Sequence, residues 1–352
     1  MKDSYGREID YFRVSVTDRC NLRCLYCMPK GAECSRNKDI LNDEEIVLIC
    51  KAAARTGIKN IRITGGEPLL RAGIPGLIRR IADIEGIEKI SMTTNGILLA
   101  ENAKELAAAG LYGVNVSLDT LDDENYKRIT GFGSNMDKTG NETENEIETG
   151  NETETGNESE IGNGIVSRIL EGVDISISAG LKVKINSVLT KINEHDQTDL
   201  VELARDRDVC VRFIEVMPIG NGKEITGVSN IELINMIEKK YGKMNRFRGN
   251  FGPGPAEYHK IDGFMGYIGF ISAIHKKFCD SCNRIRLTSS GILKPCLCYD
   301  SKTDLHAMIM RGADATELEN AIKYAILNKP EAHCFEKPEM ISESGNMVQI
   351  GG

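Results

Sequence analysis

The chain lacks the tracts that a membrane or a nucleic acid would require. Across 352 residues no apolar run approaches the roughly 18 residues of a membrane span. Aromatic residues make up 5% with no tryptophan, and there is neither a basic run nor an aromatic platform for single-stranded nucleic acid. The N-terminal Met1-Lys-Asp-Ser-Tyr-Gly-Arg-Glu8 has no apolar signal-peptide core. The expectation is a cytoplasmic chain with no membrane and no nucleic-acid partner. No Gly-x-Gly-x-x-Gly follows the first strand-like run, and no Walker A sequence occurs anywhere. That argues against an open dinucleotide-binding sheet and against a P-loop. No acid–base dyad is visible either.

The net charge of −8 is not a property of the whole chain. Positions 134–164 hold nine carboxylates, Asp137 and eight Glu, against Lys138 alone, so this stretch accounts for all of the −8. The remainder is neutral, and the acidic pI says little about a working surface. The stretch repeats Thr-Gly-Asn-Glu-Thr-Glu with almost no apolar residues. It cannot bury enough surface to offset the entropy of ordering, and is expected to be a disordered insertion rather than an acidic partner-binding segment. Asn141-Glu-Thr143, Asn151-Glu-Thr153 and Asn157-Glu-Ser159 fit the glycosylation pattern, but without a secretory signal the match is fortuitous.

Around the insertion, strand and helix patterns alternate. Apolar runs end at Val16, Ile63, Thr93, Leu118, Val188 and Val216, and helical patterns cover 43–56, 74–84, 101–109, 165–179 and 196–206. The first of these opens with Asn42 and Glu45 as a capping box and closes at Gly57. Six such units imply a parallel sheet with right-handed crossovers. A partial (βα)6 barrel fits, with its chemistry at the C-terminal ends of the strands. Polar strand ends gather there: Gly65-Gly66-Glu67-Pro68, Thr93-Thr94-Asn95-Gly96, Asn115 to Asp119, Lys184 to Asn186, and Glu215-Val-Met217-Pro218. Past residue 220 the alternation stops, Gly and Pro accumulate at 252–255, and a helix pattern at 230–241 stands alone. The expected division is a barrel at 1–220, carrying the insertion, and a second unit at 221–352.

Eleven cysteines without a secretory signal point to a reducing compartment and to metal binding rather than disulfides. Cys20, Cys24 and Cys27 follow the first strand-like run as C-x3-C-x2-C. Thiolates suit zinc, copper(I) or iron–sulfur clusters. A structural zinc site wants four ligands, and no fourth Cys or His lies nearby; three ligands on a four-iron cluster leave one iron open. With Tyr26 just before the last Cys, the spacing resembles the signature of the radical S-adenosylmethionine (SAM) enzymes. Gly65-Gly66-Glu67-Pro68, one β-α unit later, resembles that family's turn for the methionine part of SAM. A second triad, Cys279, Cys282 and Cys296, reads C-x2-C-x13-C. Its C-x2-C pair suggests zinc, with Cys298 either a fourth ligand or a buried thiol. Yet two triads at these spacings, Cys282-Asn-Arg-Ile-Arg286 within the second, and a terminal Gly351-Gly352 together resemble one subfamily, the GTP 3′,8-cyclases of molybdenum cofactor biosynthesis. The resemblance covers nearly the whole chain and is interrupted by the acidic insertion between Gly131 and Ile165.

The resemblance implies a radical SAM barrel whose open side is closed by a C-terminal second-cluster domain. It assigns Cys20, Cys24 and Cys27 to a 4Fe–4S cluster that binds SAM, and Cys279, Cys282 and Cys296 to a second 4Fe–4S cluster whose open iron meets the purine of GTP. Tyr26, Gly66, Ser117 and Met217 match SAM-binding positions. Arg13, Arg62, Thr93, Lys184, Arg284, Ile285 (through its backbone) and Arg286 match GTP-binding positions. Gly351 and Gly352 match a tail that reaches into the barrel and is needed for ring formation. The implied reaction starts with a deoxyadenosyl radical from SAM, which takes hydrogen from ribose C3′. The C3′ radical then attacks guanine C8, and an electron and a proton complete 3′,8-cyclo-7,8-dihydro-GTP. Implied partners are GTP, a reductant protein and the downstream cyclic pyranopterin monophosphate synthase, with a homodimer allowed. The physical chemistry agrees, because a triphosphate held without a P-loop needs several fixed cations, with Arg forks pairing to phosphate oxygens. Two other readings are a peptide-modifying radical SAM maturase with auxiliary clusters and a zinc-stabilised binding module. Cys34, Cys50, Cys210, Cys298 and Cys334 receive no role.

Overall fold

The computed structural model describes residues 1–28, 40–133, 164–249, 251–252 and 254–351. The acidic repeat, Cys34 and Gly352 lie outside the described residues. Six strands, β1 (Tyr11–Ser15), β2 (Asn60–Thr64), β3 (Lys89–Thr94), β4 (Gly113–Ser117), β5 (Lys182–Leu189) and β6 (Val209–Glu215), pair in parallel and in chain order. Between them run α1 (Asp43–Arg55), α2 (Ile74–Ala82), α3 (Leu99–Ala108), α4 (Asp123–Thr130), α5 (Ile165–Ser178) and the single turn α6 (Gln197–Leu200). The capping box expected at Asn42 is present in both directions: Asn42 Oδ1 accepts from the Glu45 amide, and Glu45 Oε2 accepts from the Asn42 amide. The helix expected over 196–206 is instead α6 followed by a 3-10 turn at Val201–Ala204. The amides of Gly266 and Met265 take the carbonyls of Ala204 and Arg205, so the helical ladder cannot continue. Helix α4 gave no apolar periodicity because only Tyr126, Ile129 and Thr130 of its residues are buried.

The C-terminal part adds β7 (Asn245–Phe247), β8 (Glu257–Lys260), β9 (Tyr267–Ile271), β10 (Arg284–Leu287), β11 (Ile292–Lys294) and β12 (Thr303–Asp304), with helices α7 (Asn230–Tyr241), α8 (Leu305–Met310) and α9 (Ala315–Leu327). These strands continue the barrel sheet at both edges, since β10 pairs in parallel with β1 and β9 in parallel with β6. The result is one 12-stranded sheet in the order β12-β11-β10-β1-β2-β3-β4-β5-β6-β9-β8-β7.

Alternation along the strands positions the site. In β1, Phe12 and Val14 are fully buried in the core under the helices, and so are Ile61 and Ile63 of β2, Val114 and Val116 of β4, and Ile285 and Leu287 of β10. The period-2 geometry of a strand then sends the intervening residues to the opposite face. Those are Arg13, Arg62, Asn115, Arg284 and Arg286, all of which line one internal cavity. The apolar residues that build the core therefore also determine which polar residues enter the lumen.

Candidate active site

Sheet register lays Arg286, Arg13 and Arg62 side by side across β10, β1 and β2. Neighbouring strands lie about 4.8 Å apart, and like charges directly opposite one another destabilise a sheet. Arg62 and Arg286 are buried and Arg13 is half-buried. Burial, and then the neighbouring Arg284, brings Arg286 down to about 10; burial and then Arg286 hold Arg13 well below the ordinary guanidinium range. Among the described residues, Arg62 Nε, Arg284 Nε, Arg286 Nη1 and Thr93 Oγ1 are buried atoms without a hydrogen-bond partner. A row of desolvated cations with unmet donors is a seat for a polyanion. Lys184 extends it: its Nζ donates to the Phe251 carbonyl, and burial followed by Arg212 brings its pKa to about 7. It lies in a smaller cavity that shares Arg62 and Asn115 with the main one.

Cys20, Cys24 and Cys27 sit in the loop after β1 and line the main cavity together with Tyr26, Gly66, Ser117 and Met217. The loop is fastened at both ends of its turn. The Arg23 and Leu25 amides donate to the carbonyls of Thr130 and Ile129 at the end of α4, at 2.7 and 3.0 Å, and Arg23 Nη1 donates to the Cys20 carbonyl at 2.8 Å. Tyr26 Oη donates to Asp119 Oδ2 at 2.6 Å, and Asp119 Oδ1 accepts the Val188 amide at 2.8 Å, which ties the triad to β4 and β5. Burial pushes Asp119 up to about 6. The glycines before Glu67 are required sterically, since a Cβ on Gly65 would lie 2.5 Å from the Thr17 carbonyl oxygen and one on Gly66 2.2 Å from that of Arg19. Glu67 itself is fully buried and joins β2 to β3, accepting from Thr94 Oγ1 at 2.8 Å and the Asn95 amide at 2.7 Å.

These thiols suit a bound cluster. None is in a disulfide. Desolvation pushes Cys20 and Cys27 up to about 12 and holds Cys24 well above the ordinary thiol range, with Glu67 adding to the effect at Cys20. Such groups ionise readily only against a bound metal charge. Among the described residues no three His, Cys, Asp or Glu are gathered around a single-ion position.

Cys279, Cys282 and Cys296 line a second, smaller cavity that shares Met217, Phe278, Arg284, Arg286 and Leu297 with the first. The two triads thus line adjoining cavities, with Arg284 and Arg286 in the wall common to both. Although burial raises it, the charges of Arg284 and then Lys329 bring Cys282 down to about 7. Lys329 is buried, and its Nζ donates to the carbonyls of Arg284 and Pro295. Cys298 does not line this cavity. It turns into an apolar cluster with Ile219, Phe335 and Ile350, with its sulfur 3.1 Å from that of Cys334. The alternative of Cys298 as a fourth ligand is therefore not met by its placement.

The tail enters the main cavity. Met347 and Val348 line the main cavity, and a Cβ on Gly351 (φ 73°) would sit 3.3 Å from both Ser15 Cβ and Thr64 Oγ1 at the ends of β1 and β2. Of the positions matched to GTP, Ile285 turns its side chain fully into the core, which leaves only its backbone for a ligand. Sequence reasoning missed Arg212 and Tyr11. Arg212 lines the cavity from β6 and donates through Nε and Nη2 to Asn186 Oδ1 at 2.8 and 2.5 Å, and Tyr11 lies under the Arg62 guanidinium at 5.6 Å. The alternation of Val209-Cys-Val-Arg212-Phe-Ile could have found Arg212; Lys329, in the loop after α9, carries no local signal.

The model of the Radical SAM superfamily matches residues 14–204, and that of Molybdenum Cofactor Synthesis C matches 209–335. Among solved structures, Streptococcus suis SuiB bound to S-adenosylmethionine superposes with a TM-score of 0.58 at 15% identity, covering 97% of this chain and 78% of that one, a likeness of fold. Two curated relatives are each named GTP 3′,8-cyclase and are 40% identical over all of this chain. The one from Clostridium perfringens (strain 13 / Type A) is matched over 100% of its length, and the one from Peptoclostridium acidaminophilum over 98%. Matched from end to end at this identity, with its two thiol triads in adjoining cavities, the chain belongs to the GTP 3′,8-cyclase family of the radical SAM superfamily.

Proposed function

We infer that this enzyme cyclises GTP to 3′,8-cyclo-7,8-dihydro-GTP, the opening step of molybdenum cofactor biosynthesis. The observation that carries the reading is the row Arg286, Arg13 and Arg62 in register along the first triad's cavity, with Arg286 also lining the second triad's. A nucleoside triphosphate is the polyanion that such a chamber fits. Cys20, Cys24 and Cys27 would hold one 4Fe–4S cluster and Cys279, Cys282 and Cys296 a second. When bound, the first with SAM supplies the one-electron chemistry that opens a ribose C–H bond.

The chain's own residues hold and orient. The arginine row, Arg284, Lys184 and Thr93 grip the triphosphate and keep the ribose from turning, with the Ile285 backbone beside the purine. Tyr26 and Asp119 hold the first cysteine loop against β4, and Gly66, Ser117 and Met217 face SAM. Gly351, at the ends of β1 and β2, leaves no side chain there to block the reacting atoms. The apolar wall of Leu297, Met347 and Val348 keeps water from the radical. In this reading 1–220 is the SAM-binding unit and 221–352 the GTP-binding unit. A reductant protein delivers electrons, and cyclic pyranopterin monophosphate synthase consumes the product. The enzyme works in the cytoplasm, with a homodimer as one allowed assembly. Among the described residues no helix is long and apolar enough to cross a membrane.

Anaerobic reconstitution with iron and sulfide, followed by GTP, SAM and a reductant, tests the reading. The expected products are 5′-deoxyadenosine and the cyclised nucleotide in matching yield. SAM cleavage with GTP recovered intact would overturn it, and a peptide substrate would then be sought.

A further inference from the structure

We propose that Cys298 and Cys334 form a redox-active dithiol that closes reversibly into an intramolecular disulfide beside the second triad. The two sulfurs lie 3.1 Å apart, and the Cys334 amide donates to Cys298 Sγ at 3.4 Å. Both side chains are buried in an apolar cluster against which Cys296 packs, and neither is among the residues lining the triad's cavity. A disulfide needs its sulfurs at about 2.0 Å, so closure asks for a movement of roughly 1 Å, within the reach of small side-chain rotations.

The two segments are already joined. Tyr299 Oη donates to the Ala332 carbonyl at 3.1 Å. One segment carries Cys296 two residues before Cys298, and in the other the His333 amide donates to Cys279 Sγ at 3.4 Å. A covalent link here would hold both flanks of the triad when its iron is lost.

The co-reactant is a low-molecular-weight disulfide such as oxidised glutathione. Cys334, which keeps 7% exposure where Cys298 has none, attacks one sulfur of that disulfide and releases one thiol. Cys298 then attacks the mixed disulfide at the Cys334 sulfur and releases the second thiol. Two protein thiols are oxidised by two electrons, the small disulfide is reduced to two thiols, and the two protons leave with them.

The test uses the full-length reconstituted enzyme, held anaerobically with oxidised glutathione, acid-quenched, alkylated and digested without reductant for mass spectrometry. The expected result is one peptide pair linked through Cys298 and Cys334, two hydrogens lighter than its parts and separable by dithiothreitol. Cys298→Ser should trap glutathione on Cys334, and Cys334→Ser should yield no link. Should a serine variant fail to fold, judged by iron content and circular dichroism, Cys298→Ala replaces it. Full alkylation of both thiols in the oxidised wild type would overturn the proposal. So would a link from either thiol to Cys279, Cys282 or Cys296, or the same glutathione adduct in wild type and Cys298→Ser.

Discussion

Replacing Glu343 by Gln should release the C-terminal tail from the chamber while leaving the barrel folded. Glu343 pairs with Lys294 on β11, and the two side chains are only 5% and 3% exposed. The same carboxylate accepts the Gly345 amide at 2.7 Å, and the Glu343 amide donates to the Cys298 carbonyl, so this residue is the point where the tail turns inward. Removing one partner of a buried ion pair costs about 3–5 kcal/mol, and the low end, about 3 kcal/mol, applies here because Lys294 keeps a second carboxylate, Asp300, at 3.8 Å. Beyond the anchor, the tail buries Val348 and Ile350, each contributing about 1.5–3 kcal/mol. The loss is thus comparable to the gain from docking, and at about 1.4 kcal/mol per decade the docked state should be depleted on the order of 100-fold. Amide hydrogen exchange over 341–351 should accelerate by that factor, while iron content stays at the wild-type level. The yield of cyclised nucleotide per 5′-deoxyadenosine should fall. Lys294→Met with Glu343→Leu removes both charges and should restore protection. A slow-exchanging tail and wild-type coupling in Glu343→Gln would refute the reasoning.

Gly351→Ala adds a Cβ at a positive φ beside Ser15 and Thr64. At a cost of about 1 kcal/mol it should keep iron and GTP binding but uncouple SAM cleavage from cyclisation, as the two product yields measured in one reaction will report. Cys24→Ala removes one of three thiols and should abolish 5′-deoxyadenosine formation; the parent rate in this variant would exclude the triad as the cluster seat. Lys184 stands at about 7 before GTP arrives because burial, and then Arg212, disfavour its charge, and a bound triphosphate raises that value. A group whose pKa rises on binding favours the complex fully below its free value and progressively less above it. GTP affinity should therefore decline by up to tenfold per pH unit above about 7, and Lys184→Met should remove that slope in calorimetric titrations, leaving only the phosphate's own ionisation.

The sequence by itself determined the local structure and the chemistry. The period-2 runs ending at Ile63, Thr93, Leu118 and Val188 became β2 to β5. Asn42 and Glu45 capped α1, and the cysteine spacings with Cys282-Asn-Arg-Ile-Arg286 pointed to the family. Such features are legible because a strand, a cap or a ligand loop is built from residues a few positions apart. Only the tertiary structure decided what meets across the chain. Arg13 and Arg286 are 273 positions apart, and they become neighbours because β10 leaves the C-terminal part to pair with β1. Lys329 joins the second triad from a loop whose composition gives no hint of it, and Arg212 enters the lumen only once β6 has a buried face. Cys298, two residues from a triad member, meets Cys334 instead of lining the triad's cavity. Chain topology and core packing choose those partners, and no local pattern encodes them: the free energy that selects them comes from burying the whole sheet at once.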